Sequence, residues 1–295
     1  MALVSAATFG SSGTFGSALL RSGWSPGAAV LARITVAALF LTPFALAALR
    51  GRWQRLWTNA ALVIAYGVVG VVGCQLCYFY AIQSVPVGIA VLLEFTGAIL
   101  VVGWLWARYQ QRPQQLTIAG AIAAIAGLAL MAGLTGAGGI SLTGLGWGML
   151  SAVSLAVFFV LSDRPAKPDT SEALSPVVLS WAGLCAAAVA LAVLGLTHAL
   201  PLQASTRDVT LIGHRMSWVA PVLSIGVLAT AVGYTTGIAA VRHLGAKLAS
   251  FIGMSEVLFA AVIAWAALGQ VPSGWQFTGG AFILAGVVLV RADES

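Results

Sequence analysis

Apolar runs of about twenty residues follow one another along the chain, separated by short breaks rich in Arg, Gln, Pro, Ser and Gly. Crossing ~30 Å of hydrocarbon takes about 20 helical residues, so each run predicts a membrane-spanning helix. The pattern predicts ten, over residues 2–20, 27–49, 60–82, 85–107, 115–134, 141–162, 174–196, 218–240, 245–268 and 274–292. No Lys or Arg precedes the first run within MALVSAATFG, which therefore reads as a membrane helix and not as a cleaved signal peptide.

Composition agrees: 60% of the 295 residues are hydrophobic and 7% are charged, a balance suited to a lipid bilayer. The net charge of +6 does not point to nucleic acid, because the basic residues stand singly between apolar blocks. Counting connections alternately puts Arg50, Arg52, Arg55, Arg108, Arg112, Arg164, Lys167, Arg242 and Arg291 on one side, against Arg21, Arg207 and Arg215 on the other. The richer side is expected to be cytoplasmic, with both termini there. The longest connection, 197–217, is expected to move and to tolerate insertion.

The chain also repeats. A shift of 159 residues lays 81–90 over 240–249, then pairs Trp106 with Trp265, Gln111 with Gln270, Pro113 with Pro272, Gly120 with Gly279 and Gly127 with Gly286. Two five-helix units are expected, at 1–134 and 141–292. Five is odd, so the second unit enters the membrane from the opposite face, the inverted-repeat plan of secondary transporters with their site near the midplane. The expected fold class is thus all-α: a polytopic membrane protein of ten helices in two inverted repeats.

Four charged residues fall well inside the predicted helices: Arg33, Glu94, Lys247 and Glu256. Burying them is costly, so they are the first candidates for function. Lys247 lies about one turn from the cytoplasmic end of its helix and reads as an anchor that reaches the interface. Arg33 either does the same or points inward. The two glutamates are shorter and lie roughly 12 to 16 Å from their segment starts, so they are expected to face a cavity. The repeat sets Glu256 on Gly97, one turn from Glu94 and on the same helix face.

The candidate substrate-binding residues are Glu94, Arg33, Gln75, Tyr78, Trp181, Tyr234 and Ser12, the last from a first helix rich in Ser, Thr and Gly. Glu256 and Glu94 are the candidates for proton coupling, with protons as the coupling ion. Cys74 and Cys77 are read as small packing residues, since no second pair or histidine accompanies them. GxxxxGK[ST] and HExxH are absent from the sequence, so a pump and a metalloprotease lack their parts, and neither an enzyme nor a cofactor is expected.

The stretches AIQSVPVGIAVLLEFTGAIL and ASFIGMSEVLFAAVIAWAALGQ resemble the EamA-type transporters of the drug/metabolite transporter superfamily, closest to the threonine/homoserine exporter branch. The resemblance implies a bacterial inner-membrane exporter of small metabolites such as amino acids, with Glu94 and Glu256 at the central cavity. A passive facilitator or an exporter of organic cations would use the same cavity. Where that family's motifs continue with proline this chain has Ala98 and Val257, so no proline-imposed helix break is expected at either place; Gln270 replaces a frequent acidic residue.

Overall fold

The computed structural model describes residues 1–85, 87–110, 112–132, 141–163, 173–211, 214–268 and 273–293. Gln111, Arg164, Lys167, Gln270 and Pro272 lie outside the described residues. Among the described residues fifteen α-helices run in order: α1 Ala2–Gly10, α2 Ser12–Arg21, α3 Pro26–Leu49, α4 Gln54–Thr58, α5 Ala60–Ala65, α6 Cys74–Ala81, α7 Val87–Phe95, α8 Gly97–Tyr109, α9 Gln115–Ala132, α10 Leu142–Ser162, α11 Pro176–Leu196, α12 Val219–Ser224, α13 Gly233–Gly253, α14 Glu256–Leu268 and α15 Gly274–Ala292. Wider π-helical turns join α5 to α6 at Tyr66–Gly73 and α12 to α13 at Ile225–Val232.

Among the described residues seven helices are long and apolar enough to cross a membrane: Pro26–Leu49, Ala60–Ala81, Ile89–Tyr109, Leu142–Ser162, Pro176–Leu196, Val219–Gly253 and Gly274–Ala292. The expected ten differ from these seven for local reasons. The first segment divides at Ser11 into two short helices, and α9 is a shorter apolar helix. The expected helices 218–240 and 245–268 meet at Gly245, whose φ of 78° and ψ of 159° make a corner open to glycine alone.

The 159-residue repeat holds to the single residue over a long stretch. Ala60–Ala65 matches Val219–Ser224, the two π-helical turns match each other, and Gly97–Tyr109 matches Glu256–Leu268. Both repeats also interrupt a helix at the same place without proline, at Thr96 and at Met254–Ser255, contrary to the expectation from Ala98 and Val257. Thr96 Oγ1 donates to the Leu93 carbonyl at 2.5 Å, and its counterpart Ser255 Oγ donates to the Ile252 carbonyl at 2.6 Å. Each hydroxyl takes a carbonyl that the ladder would otherwise use, which bends a helix as side-chain back-bonding does.

Packing exchanges the two units. α1 lies on α13 and α14, while α10 lies on α6, α7 and α8, so the leading helix of each unit serves the other unit's later helices. α9 and α15 form the other seam. A Cβ on Gly120 would meet the Gly286 carbonyl oxygen at 2.7 Å, and one on Gly127 would meet that of Gly279 at 2.5 Å. Because the lower number of one helix faces the higher of the other, these repeat-equivalent helices run antiparallel.

Second helices begin alike, at Ser25–Pro26 and Ser175–Pro176, where each serine oxygen accepts an N–H of the first turn and proline fills a position that needs no donor. The 197–217 connection is more tied down than expected. It carries an antiparallel hairpin, β1 Val209–Leu211 with β2 His214–Met216, and its 203 and 205 carbonyls accept from Ser25 N–H and Trp24 Nε1 at 2.8 and 2.7 Å. Lys247 is anchored as expected, 3.2 Å from Asp293 Oδ2, which also accepts from Thr117 Oγ1.

The seam makes a direct prediction. Gly127→Val drives a side chain into the Gly279 backbone and is expected to destabilise the protein by about 1–3 kcal/mol in thermal unfolding in detergent. Gly103→Ala, whose Cβ would meet nothing within 4 Å, is expected to leave the transition unchanged or slightly raised.

Candidate functional site

The repeats meet around a central cavity with about 860 Å³ of atom-free space, part of it continuous with solvent. The π-helical turns bring their following residues to its centre. Gln75 Nε2 donates to Tyr234 Oη at 2.8 Å, and these two residues are 159 positions apart. A hydrogen bond between repeat counterparts places the approximate two-fold axis through the cavity. Tyr234 is packed edge-on by Phe9, Tyr66 and Phe158, with ring centres 5.0, 6.4 and 5.4 Å away. These contacts fix the ring and present its hydroxyl to Gln75.

The polar wall comes from both halves. Arg33, Gln75, Tyr78, Glu94, Tyr234, Glu256 and Ser12 all line the cavity, so six of the seven sequence-derived substrate candidates come together, with Glu256 beside them. Trp181 stands apart: its Nε1 donates to Thr42 Oγ1 at 3.1 Å and its ring packs on Trp53, in the seam between α3 and α11. Its helix position was legible in the sequence, but the face it turns to is decided by α3.

Arg33 points inward and does not snorkel. It is buried, and its Nε donates at 2.9 Å to Thr230 Oγ1, which in turn donates to the Ile225 carbonyl within the π-helical turn. Neither glutamate lies within ion-pair distance of it. Glu94 is held differently: Cys74 Sγ and Ser151 Oγ both approach its Oε1, at 2.9 and 3.0 Å. Cys74 is therefore not merely a packing residue. The signal that could have found it was its place directly before Gln75 and one turn from Tyr78.

The three charges break the repeat in the same way. Helices aligned on their Ser–Pro caps put Arg33 opposite Gly183, and the 159 shift puts Glu94 opposite Gly253 and Glu256 opposite Gly97. Two of those glycines, Gly97 and Gly183, are places of close approach. A Cβ on Gly97 would meet the Ala152 carbonyl at 2.6 Å, and one on Gly183 would strike the Tyr66 ring. At the Gly97 and Gly183 positions one repeat packs closely against a neighbouring helix where the other carries a charged side chain.

Sequence reasoning also missed the aromatic wall of Phe9, Phe79, Phe95, Phe158 and Phe159. Apolar residues in an apolar helix carry no sign of which face meets a cavity. A second cavity of about 740 Å³ adjoins the first and shares Phe9, Ser12, Tyr78 and Glu256 with it, continuing to Gln276 on α15.

Two parts of the chain, residues 1–133 and 142–292, match the profile of the EamA-like transporter family. A solved structure, described as the crystal structure of a protein, superposes with a TM-score of 0.74 at 21% identity, covering 100% of this chain and 97% of that chain. That likeness bears on fold alone. No curated protein sequence matches at a significant level.

Thr230 tests how the cavity is built. Thr230→Val removes the acceptor of a buried guanidinium and is expected to cost about 1–3 kcal/mol in unfolding measurements. Thr230→Ser keeps the hydroxyl and should retain most of the stability.

Proposed function

This chain belongs to the EamA-like transporter family, and on that footing we propose that it is a secondary transporter exporting small metabolites, foremost amino acids such as threonine or homoserine, across a bacterial inner membrane. In this reading the units are residues 1–134 and 141–292, they lie inverted in ten crossings, and they alternate access to the central cavity in exchange for protons. The antiparallel seam of α9 and α15 supports the inversion, and the corner at Gly245 supports counting α13 as parts of two crossings.

The observation that carries the reading is the meeting of Arg33, Glu94 and Glu256 in one cavity at positions where the other repeat has glycine. A scaffold needs no such charges, whereas a zwitterion presents a carboxylate that a guanidinium can bind and an ammonium group that a carboxylate can bind. Among the described residues the terminal nitrogens of Arg33 make no hydrogen bond, and Gln75 Oε1 is buried without a partner, so a donor and an acceptor remain for a ligand. Glu256, shared between the two cavities, is assigned as the principal proton carrier. Glu94 contacts substrate and exchanges its own proton during the cycle. The phenyl and phenol rings favour a second reading, an organic cation, through cation–π contact.

Two measurements test this. Glu94→Gln and Glu256→Gln keep size while removing titration, so both are expected to fold normally and to lose proton-driven efflux at least tenfold in liposomes loaded with threonine, homoserine or a quaternary amine. Retained counterflow in Glu256→Gln with lost counterflow in Glu94→Gln is the expected division. Normal transport by Glu94→Leu would overturn the site. Topology is read separately: reporters after Arg52, Arg112 or Glu294 should be cytoplasmic, and one beside Ser205 external.

A further inference from the structure

Ser151 stands where the cavity meets the packing between the two units. Its hydroxyl, fully buried on α10, lies 3.0 Å from the Cys74 carbonyl oxygen and 3.0 Å from Glu94 Oε1. A serine hydroxyl has one proton to donate, and a carbonyl oxygen can only accept. If that proton goes to Cys74, the Glu94 oxygen must present a proton to Ser151, which only the neutral acid can do. If Glu94 is ionised, its oxygen only accepts, and the Ser151 proton is drawn to the charge because charge-assisted bonds are roughly twice as strong. The Cys74 carbonyl then loses its partner on α10. The Cys74 thiol can donate to Oε1 in either state.

The other repeat supplies the comparison. Ser5 Oγ on α1 donates at 2.8 Å to the carbonyl of Gly233, the counterpart of Cys74 under the 159 shift. The counterpart of Glu94 is Gly253, which has no carboxyl to compete for that proton. One inter-repeat contact is thus unconditional, and its equivalent passes through a titratable group.

We propose that Ser151 is a positioning residue that turns the protonation of Glu94 into the making or breaking of the hydrogen bond between α10 and α6, tying proton occupancy to the fit of the two halves. The proposal rests on the proton-exchanging reading given above. Arg33 on α3, Cys77 and Tyr78 on α6, Tyr234 on α13 and Glu256 on α14 also interact electrostatically with Glu94, without replacing Ser151 in the step.

The test uses the full chain in detergent and needs no substrate. The infrared C=O stretch of protonated Glu94, assigned by its loss in Glu94→Gln, is followed against pH alongside hydrogen exchange in residues 74–81, corrected for the intrinsic pH dependence of exchange. In the wild type, loss of the band should coincide with about a three- to tenfold rise in exchange, the equivalent of one hydrogen bond. Ser151→Ala should keep the titrating band but exchange fast at every pH, Ser151→Thr should restore the step, and Ser5→Ala should leave it intact. Glu94→Gln, whose amide can donate to Ser151 permanently, should exchange slowly throughout. A pH step that survives in Ser151→Ala or in Glu94→Gln overturns the relay while leaving the transporter reading standing. A Glu94 band absent at every pH overturns proton exchange at Glu94 and the relay with it.

Discussion

Hydrocarbon offers no hydrogen bonds, so every backbone carbonyl that leaves the regular helical ladder must find its partner within the protein. This chain leaves the ladder repeatedly, at Ser11, at Thr96, at Met254–Ser255 and through two π-helical turns. Small hydroxyls answer the need. Thr96 and Ser255 bind carbonyls of their own helices, while Ser5 and Ser151 reach across to the opposite unit. The irregular turns that bring Gln75 and Tyr234 together are therefore stabilised by contacts between the halves, and the cavity and the inter-repeat packing form a single structure.

Glycine does the complementary work. Gly120, Gly127, Gly279 and Gly286 let α9 and α15 approach backbone to backbone, and Gly67 does the same for α11. Lipid tails are as apolar as leucine, so close van der Waals contact takes the place of the hydrophobic effect in holding such helices together. At Gly97, Gly183 and Gly253 one repeat has glycine where the other has Glu256, Arg33 or Glu94. The scaffold is near-symmetric and its charges are not.

Much of this architecture is legible in the sequence alone. Period and length identify apolar helices because hydrocarbon thickness sets their size, and the 159-residue register emerges from Trp, Pro and Gly coincidences that apolar drift does not produce. The cost of burying Arg33, Glu94 and Glu256 singled them out for the same reason. Charge in a membrane segment is a signal that survives without knowledge of neighbours.

What the sequence could not decide was direction and partnership. In helices apolar all round, no periodicity says that Trp181 faces α3 while Phe9 and Phe158 face the cavity. The breaks at Thr96 and Ser255 came without proline, since a hydroxyl bends a helix only when its rotamer turns back onto the carbonyl behind it. Cys74 gained its role from Glu94, 20 residues on, and from Ser151 on another helix of the other unit. The repeat and the buried charge are local or periodic properties and belong to the sequence; which side chains meet, and across which pair of halves, is decided only when many similar apolar surfaces choose among one another by shape.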